Sequence, residues 1–316
     1  YIAYSCSFNE KLYGIKIFDL KNKVKHKISN PILSDLKPVF DPSGNYLAFI
    51  SARIFNPVYD NMHFDLGFPR GEKPYIICLN NETDSPFYKS EQTAIKEQKD
   101  DKKKDDKKDN QITKIDFDGI EDRILAVPTT EGLFSDIGFA NNKLFYSIHE
   151  DEGSHGDIPW YNFSSSDKSS IFYYDFDLNK EKIFMSNISR FETYSNIDSL
   201  LVESTNGIRI INASSPPSKD SLSENEFNQN TGKINLNRTS ISIDPINEWK
   251  QMFSEAWRLQ RDFFWVKNMS GINWKKIHNR YYKLIDRISS RSEFSDLVWE
   301  MQGELGTSHC YEFGGD

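Results

Sequence analysis

The sequence predicts a multidomain β + α chain, in which a partial β-propeller of four-stranded blades precedes a small helical domain. Two observations carry this reading. Strand-like runs recur through residues 1–243, and the apolar period changes from strand to helix near residue 244. A length of 316 residues accommodates two such domains.

The recurring runs are "YIAYS" at 1–5, "YLAFIS" at 46–51, "KLFYSI" at 143–148 and "SLLVES" at 199–204. Each is followed by a second apolar run, at 14–22, 74–82, 170–180 and 207–214. Polar–apolar alternation within them is loose, but the punctuation is clear. "DPSG" at 41–44 has the proline and glycine of a tight turn. The starts are spaced by about one blade length, then about two, then a little over one. A plain β-sandwich is the alternative, and the repetition favours the propeller. Because radial closure protects blade edges, further blades are expected before Tyr1. The first residues read like a strand in progress and the last like a turn, so the chain is expected to be part of a longer polypeptide. The charged run "KEQKDDKKKDDKKDN" at 96–110 cannot bury apolar surface and is predicted to be a solvated, disordered insert. Residues 214–243 form a linker or close the last blade.

From 244 to 316 the pattern is helical. "INEWKQMFSEAWRLQRDFFW" (246–265) places Trp249, Phe253, Trp257 and Phe264 on one face. "NWKKIHNRYYKLIDRI" (273–288) starts at Asn273 as N-cap and repeats Trp274, Ile277, Tyr281, Leu284 and Ile288. A third helix opens with Ser290 and Glu293 in capping-box spacing. Trp-rich stripes of this kind are ordinary core.

Composition excludes several functions. A net charge of −8 provides no basic field for nucleic acid or anionic lipid. Cys6, Cys78 and Cys310 form no CxxC pair, which fits a reducing compartment and excludes a disulfide scaffold or a Cys-based zinc site. No apolar run reaches bilayer length, so the chain is read as soluble and cytoplasmic, without membrane or nucleic-acid partners. "RGEKP" (70–74) lacks phosphate-loop spacing, and no cofactor is predicted. His149, Glu150, Asp151, Glu152 and His155 crowd one stretch, but their spacing matches no zinc pattern, and a solvated connecting loop is the better reading. The sequons at 162–164 and 212–214 are chance matches in an Asn- and Ser-rich chain.

The chain leaves the third helix through Gly303 and Gly306 and reaches "TSHCYEFGGD". This small-residue turn delivers His309 to an open place, where an imidazole suits general-base work. Ser308 is placed to orient or polarise it. The bland alternative is a surface histidine in a loop. A second alternative makes Cys310 a nucleophile with His309 as its base, but neighbouring side chains on extended backbone point apart.

These residues resemble a known family. "EWKQMFSEAWRLQRDFFW", "GINW" and "RSEFSDLVWEMQGELGTSHCYEFGGD", spanning 248–316, are similar to the first core domain of the tricorn proteases, within the tail-specific serine peptidases. "KPVFDPSGNYLAFIS" and "KIDFDGIEDRILAVPTTEGLFSDIGFANNKLFYS" (114–147) resemble later blades of that family's second, seven-bladed propeller. The resemblance implies a serine peptidase acting downstream of the proteasome on unfolded oligopeptides, assembled as a hexamer, with the propeller gating access. It implies His309 as general base and Ser308 in its hydrogen-bond network. The nucleophilic serine, oxyanion amides and glutamate are then expected outside these residues, and the fragment alone is expected to be inactive. Relatives commonly carry a small residue at the position of Cys310. The rival reading is a non-catalytic propeller module for peptides or proteins with a helical appendage.

Overall fold

The computed structural model describes residues 1–8, 12–68, 70–87, 113–149, 168–194, 197–223 and 226–312. The chain divides into two compact units, Tyr1–Asn235 and Leu236–Asp316.

The first unit is a succession of antiparallel sheets. Strands β1 (Ile2–Ser7), β2 (Tyr13–Asp19) and β3 (Val24–Lys27) form the first. β4 (Ser34–Phe40), β5 (Tyr46–Ala52), β8 (Glu72–Cys78) and β9 (Ile124–Ala126) form the second, with the hairpin β6 (Val58–Asp60) and β7 (Asp65–Gly67) between β5 and β8. A single parallel pair, Tyr13 with Ser34, links these two sheets. β10 (Leu133–Ala140), β11 (Lys143–His149), β12 (Ser169–Asp175) and β13 (Lys180–Ile188) make the third. β14 (Arg190–Tyr194), β15 (Ile197–Ser204) and β16 (Gly207–Asn212) make the fourth. The sheets are propeller-like, as the sequence predicts, and the middle two have four strands each. The first and last have three among the described residues. Residues 232–234 run antiparallel along β16, with Ile210 N–H donating to Gly232 O and Ile234 N–H to Ile208 O.

All four predicted pairs of runs are neighbours: β1 with β2, β5 with β8, β11 with β12, and β15 with β16. Their loose alternation has a physical cause. Leu47 and Phe49 of β5 enter one core with Tyr75 and Ile77 of β8, while Ala48, Ile50 and Ile76 enter the next. β11 and β12 divide in the same way, Phe145, Ile171 and Tyr173 to one side and Leu144, Tyr146 and Tyr174 to the other. A strand buried on both faces needs apolar residues at every position, and alternation disappears.

The first strand of each middle sheet was not legible as a strand. β4 contains Pro38 and a bulge between Leu36 and Val39, with Lys37 in left-handed backbone (φ 53). β10 is bulged between Phe134 and Ile137. These bulges aim polar side chains between sheets. Asp136 of β10 takes the Lys37 ammonium of β4 at 2.7 Å, the Ser147 hydroxyl of β11 at 3.4 Å and the Phe191 N–H of β14 at 3.3 Å. One carboxylate thus ties three sheets together. Asp35 of β4 is the counterpart in the preceding sheet, fully buried and bonded to Ser51 (2.5 Å) and Arg53 (2.8 Å). Gly138 allows β10 and β14 to approach, since a Cβ there would overlap the Thr193 side chain.

The helical unit has its own core. A short helix, α1 (Lys219–Ser223), still belongs to the first unit, its carbonyls at Ser221 and Leu222 accepting from Arg209. α2 (Pro245–Phe263) starts at the Asp244 cap, whose carboxylate accepts from Asn247 N–H. α3 (Trp274–Tyr281) is capped by Asn273, and α4 (Arg291–Gly303) by the Ser290–Glu293 capping box, both as predicted. Trp249, Phe253, Trp274, Ile277, Phe294, Val298 and Met301 fill the centre. Trp257 and Trp274 exchange bonds, each indole N–H donating to the other's carbonyl at 2.9 Å. One detail departs from the predicted stripe: Ile285 is fully buried, whereas Leu284 is only half-buried. After Tyr281 the helix tightens to 3₁₀ over Tyr282–Arg287. Three residues per turn then align Tyr282, Ile285 and Ile288 in place of the α-helical set.

Asp136→Ala should lower the stability of the first unit by about 2 kcal/mol, because it strands the buried Phe191 N–H, while the Ser147 hydroxyl keeps Ser135 Oγ as a partner. Lys37→Ala, at the half-exposed end of the same contact, should cost less than about 1 kcal/mol. Urea unfolding followed by β-sheet circular dichroism checks both, and equal effects would remove Asp136 from its central place.

Candidate functional site

The segment that leaves α4 builds the site. Arg280 and Tyr281 of α3 both bond the Glu304 carboxylate, Tyr281 donating at 2.8 Å, and this fixes the helix end. Burial, then the bond to Glu304, pushes the Tyr281 hydroxyl above its ordinary value. Leu305 drops into the core, its N–H on Gln302 O (3.0 Å), and Gly306 turns in left-handed backbone (φ 60). A glycine is suited to that turn.

Residues 307–309 then emerge exposed. Ser308 Oγ lies 2.8 Å from His309 Nδ1, and the Tyr311 ring stands edge-on to the imidazole at 6.0 Å. His309 itself has φ 68, an uncommon conformation for a residue with a side chain. Trp299, Gln302, Gly303, Thr307, Ser308, His309 and Cys310 line a cleft of 230 Å³. The structure therefore brings Ser308 and His309 together and sets them at an open cleft. In the tautomer whose Nδ1–H donates to Ser308 Oγ, Nε2 is the nitrogen left to accept a proton.

Cys310 is half-buried, packs on the helical core and also lines the cleft that His309 lines. The backbone at His309 is left-handed, not extended, so the expectation that neighbouring side chains point apart there loses its premise. The three cysteines are free thiols. In the 149–155 cluster, His149 ends β11 with its ring at 2.8 Å from Ser169 Oγ, and Glu150, Asp151, Glu152 and His155 lie outside the described residues, as does the 96–110 run. Among the described residues no group of His, Cys, Asp and Glu is arranged to hold a metal, and no helix is long and apolar enough to cross a membrane.

Sequence reasoning missed Glu312. Its Oε1 accepts from Arg291 Nη2 at 2.6 Å and from Ser295 Oγ at 3.1 Å, joining the segment after His309 to the first turns of α4. Arg291 and Ser295 are four apart on a helix face, but nothing local announces a partner so far along the chain.

Propeller-like sheets followed by a helical unit with an exposed histidine define a class of multidomain chain, and comparison places it. Residues 1–214 match the tricorn protease second beta propeller domain, and residues 245–303 the tricorn protease C1 domain. The chain belongs to the tricorn protease family. Ser308 and His309 lie just past the second matched span. The chain is 33% identical over 315 residues to a tricorn-like protease C-terminal subunit of Sulfurisphaera tokodaii, covering 99% of this chain and 33% of that one. It is 32% identical to a tricorn protease homolog of Saccharolobus solfataricus, covering 98% and 27%. A crystal structure of the tricorn protease matches its fold with a TM-score of 0.68 at 20% identity, over 99% of this chain and 28% of that chain. The chain thus spans about a third or less of the length of these relatives.

The helix that carries the site should respond to acid. Glu293 is held below the usual carboxylate range, chiefly by the Ser289 N–H, then by the Ser289 hydroxyl, with the Ser290 N–H adding to both. A lowered folded pKa contributes stability above the unfolded value and loses it as pH falls through the folded one. The advantage of the native chain over Glu293→Gln should therefore be full at neutral pH and close below about pH 4. Thermal melts of helical circular dichroism across pH check this; a gap that persists in acid would contradict it.

Proposed function

We propose that this chain is the propeller-and-histidine portion of a tricorn-type serine peptidase, with His309 as general base. The Ser308–His309 pair at an open cleft carries the reading. A base needs one nitrogen held and the other free, and here Nδ1 is held by a neighbouring hydroxyl. Family membership supports peptidase chemistry, and relatives three or more times longer leave room for the remaining groups.

The serine nucleophile, its oxyanion donors and a glutamate that completes the histidine's network come from residues outside this chain. His309 Nε2 takes the proton from the serine hydroxyl as oxygen attacks the peptide carbonyl, and backbone N–H groups hold the oxyanion. The same proton passes to the departing amine, which leaves an acyl-enzyme. Water then repeats the cycle, giving up its proton to His309 and releasing the acid. The propeller sheets gate unfolded oligopeptides delivered by the proteasome, and the whole protein acts as a hexamer in the cytoplasm. Cofactors have no part in this chemistry.

The test uses the complete gene product and a fluorogenic peptide. His309→Ala should lower kcat by about 10²–10⁴-fold, and Ser308→Ala by about 10-fold or more. This chain by itself should turn over no peptide. Undiminished activity in His309→Ala would remove the histidine from the chemistry, and a complete native gene product that turns over no peptide would leave the binding-module reading.

A further inference from the structure

The segment bearing His309 is fastened at both ends and unsupported in the middle. At its start, Leu305 is buried and Gly306 N–H bonds Gly303 O at 3.1 Å. At its end, Cys310 packs on the core and Glu312 is gripped by α4. The grip is built, not incidental. Arg291 and Glu312 side chains are only 24% and 18% exposed, and Arg291 also bonds Ser295 Oγ at 2.6 Å and lies over the Phe294 ring at 5.0 Å. Between the two fastenings, His309 adopts left-handed backbone (φ 68). A residue with a side chain keeps that conformation where the surroundings enforce it. Residues 307–309 are exposed, and among the described residues no hydrogen bond reaches them from outside the segment, so the enforcement comes from its ends.

We infer that Glu312 is a positioning residue for His309: its carboxylate, clamped by Arg291 and Ser295, sets the backbone that holds the imidazole against Ser308. The inference rests on the reading of His309 as the general base. Glu312 touches neither the imidazole nor, on that reading, the substrate. It acts through the short stretch of chain between them. Without the clamp, only the packing of Cys310 holds that end, His309 relaxes to ordinary backbone and the Ser308 contact is lost. Misplacement of a catalytic group by about 1 Å from a distant change costs about 10²-fold in rate.

Two readouts separate this inference from the function on which it rests. The first needs no activity. Histidine ¹⁵N spectra of the 316-residue chain, with His309 assigned through His309→Ala, should show one ring tautomer in the native chain. Glu312→Ala should average the two tautomers, while Glu312→Gln, which keeps an acceptor oxygen for Arg291 and Ser295, should restore one. The second readout is turnover by the complete gene product. Glu312→Ala should lower kcat about 100-fold with KM within about twofold, and Glu312→Gln should recover most of it. A native-like His309 spectrum in Glu312→Ala overturns the positioning role even if the enzyme is active. Where Glu312→Ala unfolds the helices, the folded Glu312→Gln and Ser295→Ala variants decide: a shift in Ser295→Ala that Glu312→Gln lacks supports the clamp, and native spectra in both overturn it. An inactive gene product whose His309 spectrum still responds to Glu312 refutes the peptidase reading and leaves the clamp standing.

Discussion

The constraint on which the first unit depends is that its central strands are apolar on both faces. Leu47 and Ala48, adjacent on β5, belong to different cores, so the second sheet is incomplete without a neighbour on either side. Burying a side chain of this size is worth about 1.5–3 kcal/mol. The cores formed by β5, β8, β11 and β12 therefore hold the sheets in series. Hydrophobic burial has no direction, however, and does not by itself set the angle or register between sheets. Asp136 supplies direction. Its bonds to Lys37, Ser147 and Phe191 N–H fix the first strands of three successive sheets relative to one another, at bulges that expose polar groups where flat strands would not.

The helical unit works by the same division. Trp249, Phe253 and Phe294 provide burial, while paired polar contacts provide register: Trp257 with Trp274, Arg280 and Tyr281 with Glu304, and Arg291 with Glu312. Their C-terminal partners, Trp274, Glu304 and Glu312, lie 35, 5 and 3 residues from His309 along the chain. The histidine sits outside the core yet at the end of a chain of fixed groups, which reconciles an exposed side chain with a defined backbone. General-base chemistry asks for that combination, since the ring must be reachable and its free nitrogen must be aimed.

Local signals were read well from the sequence. The Asn273 cap, the Ser290–Glu293 box and the Asp41–Gly44 turn depend on neighbours a few residues apart, and each forms as written. The strand pairs were legible because double burial makes dense apolar runs. The first strands of the second, third and fourth sheets were not. β4 carries a proline and a lysine, and β14 reads "RFETY", so neither shows an apolar run or a clean alternation. The shift from Leu284 to Ile285 escaped because sequence period alone does not announce a tightened turn. At the site, glycines and a histidine drew attention to 303–316, and Ser308 with His309 came with them. Glu312 was invisible, since its importance lies in a contact across 21 residues that only the folded return of the chain creates. Polar contacts between distant segments are the part of a fold that periodicity does not encode.

The central claim is that His309 is the base of a serine peptidase, and chemical trapping addresses it most directly. A peptide chloromethyl ketone binds as a substrate, and its methylene carbon alkylates the imidazole nitrogen facing the nucleophile, with chloride as the leaving group. Applied to the complete gene product and mapped by mass spectrometry, it should place one adduct on His309 at Nε2, and competing peptide should prevent it. Inactivation with the adduct on another histidine, or with His309 unmodified, would contradict the account.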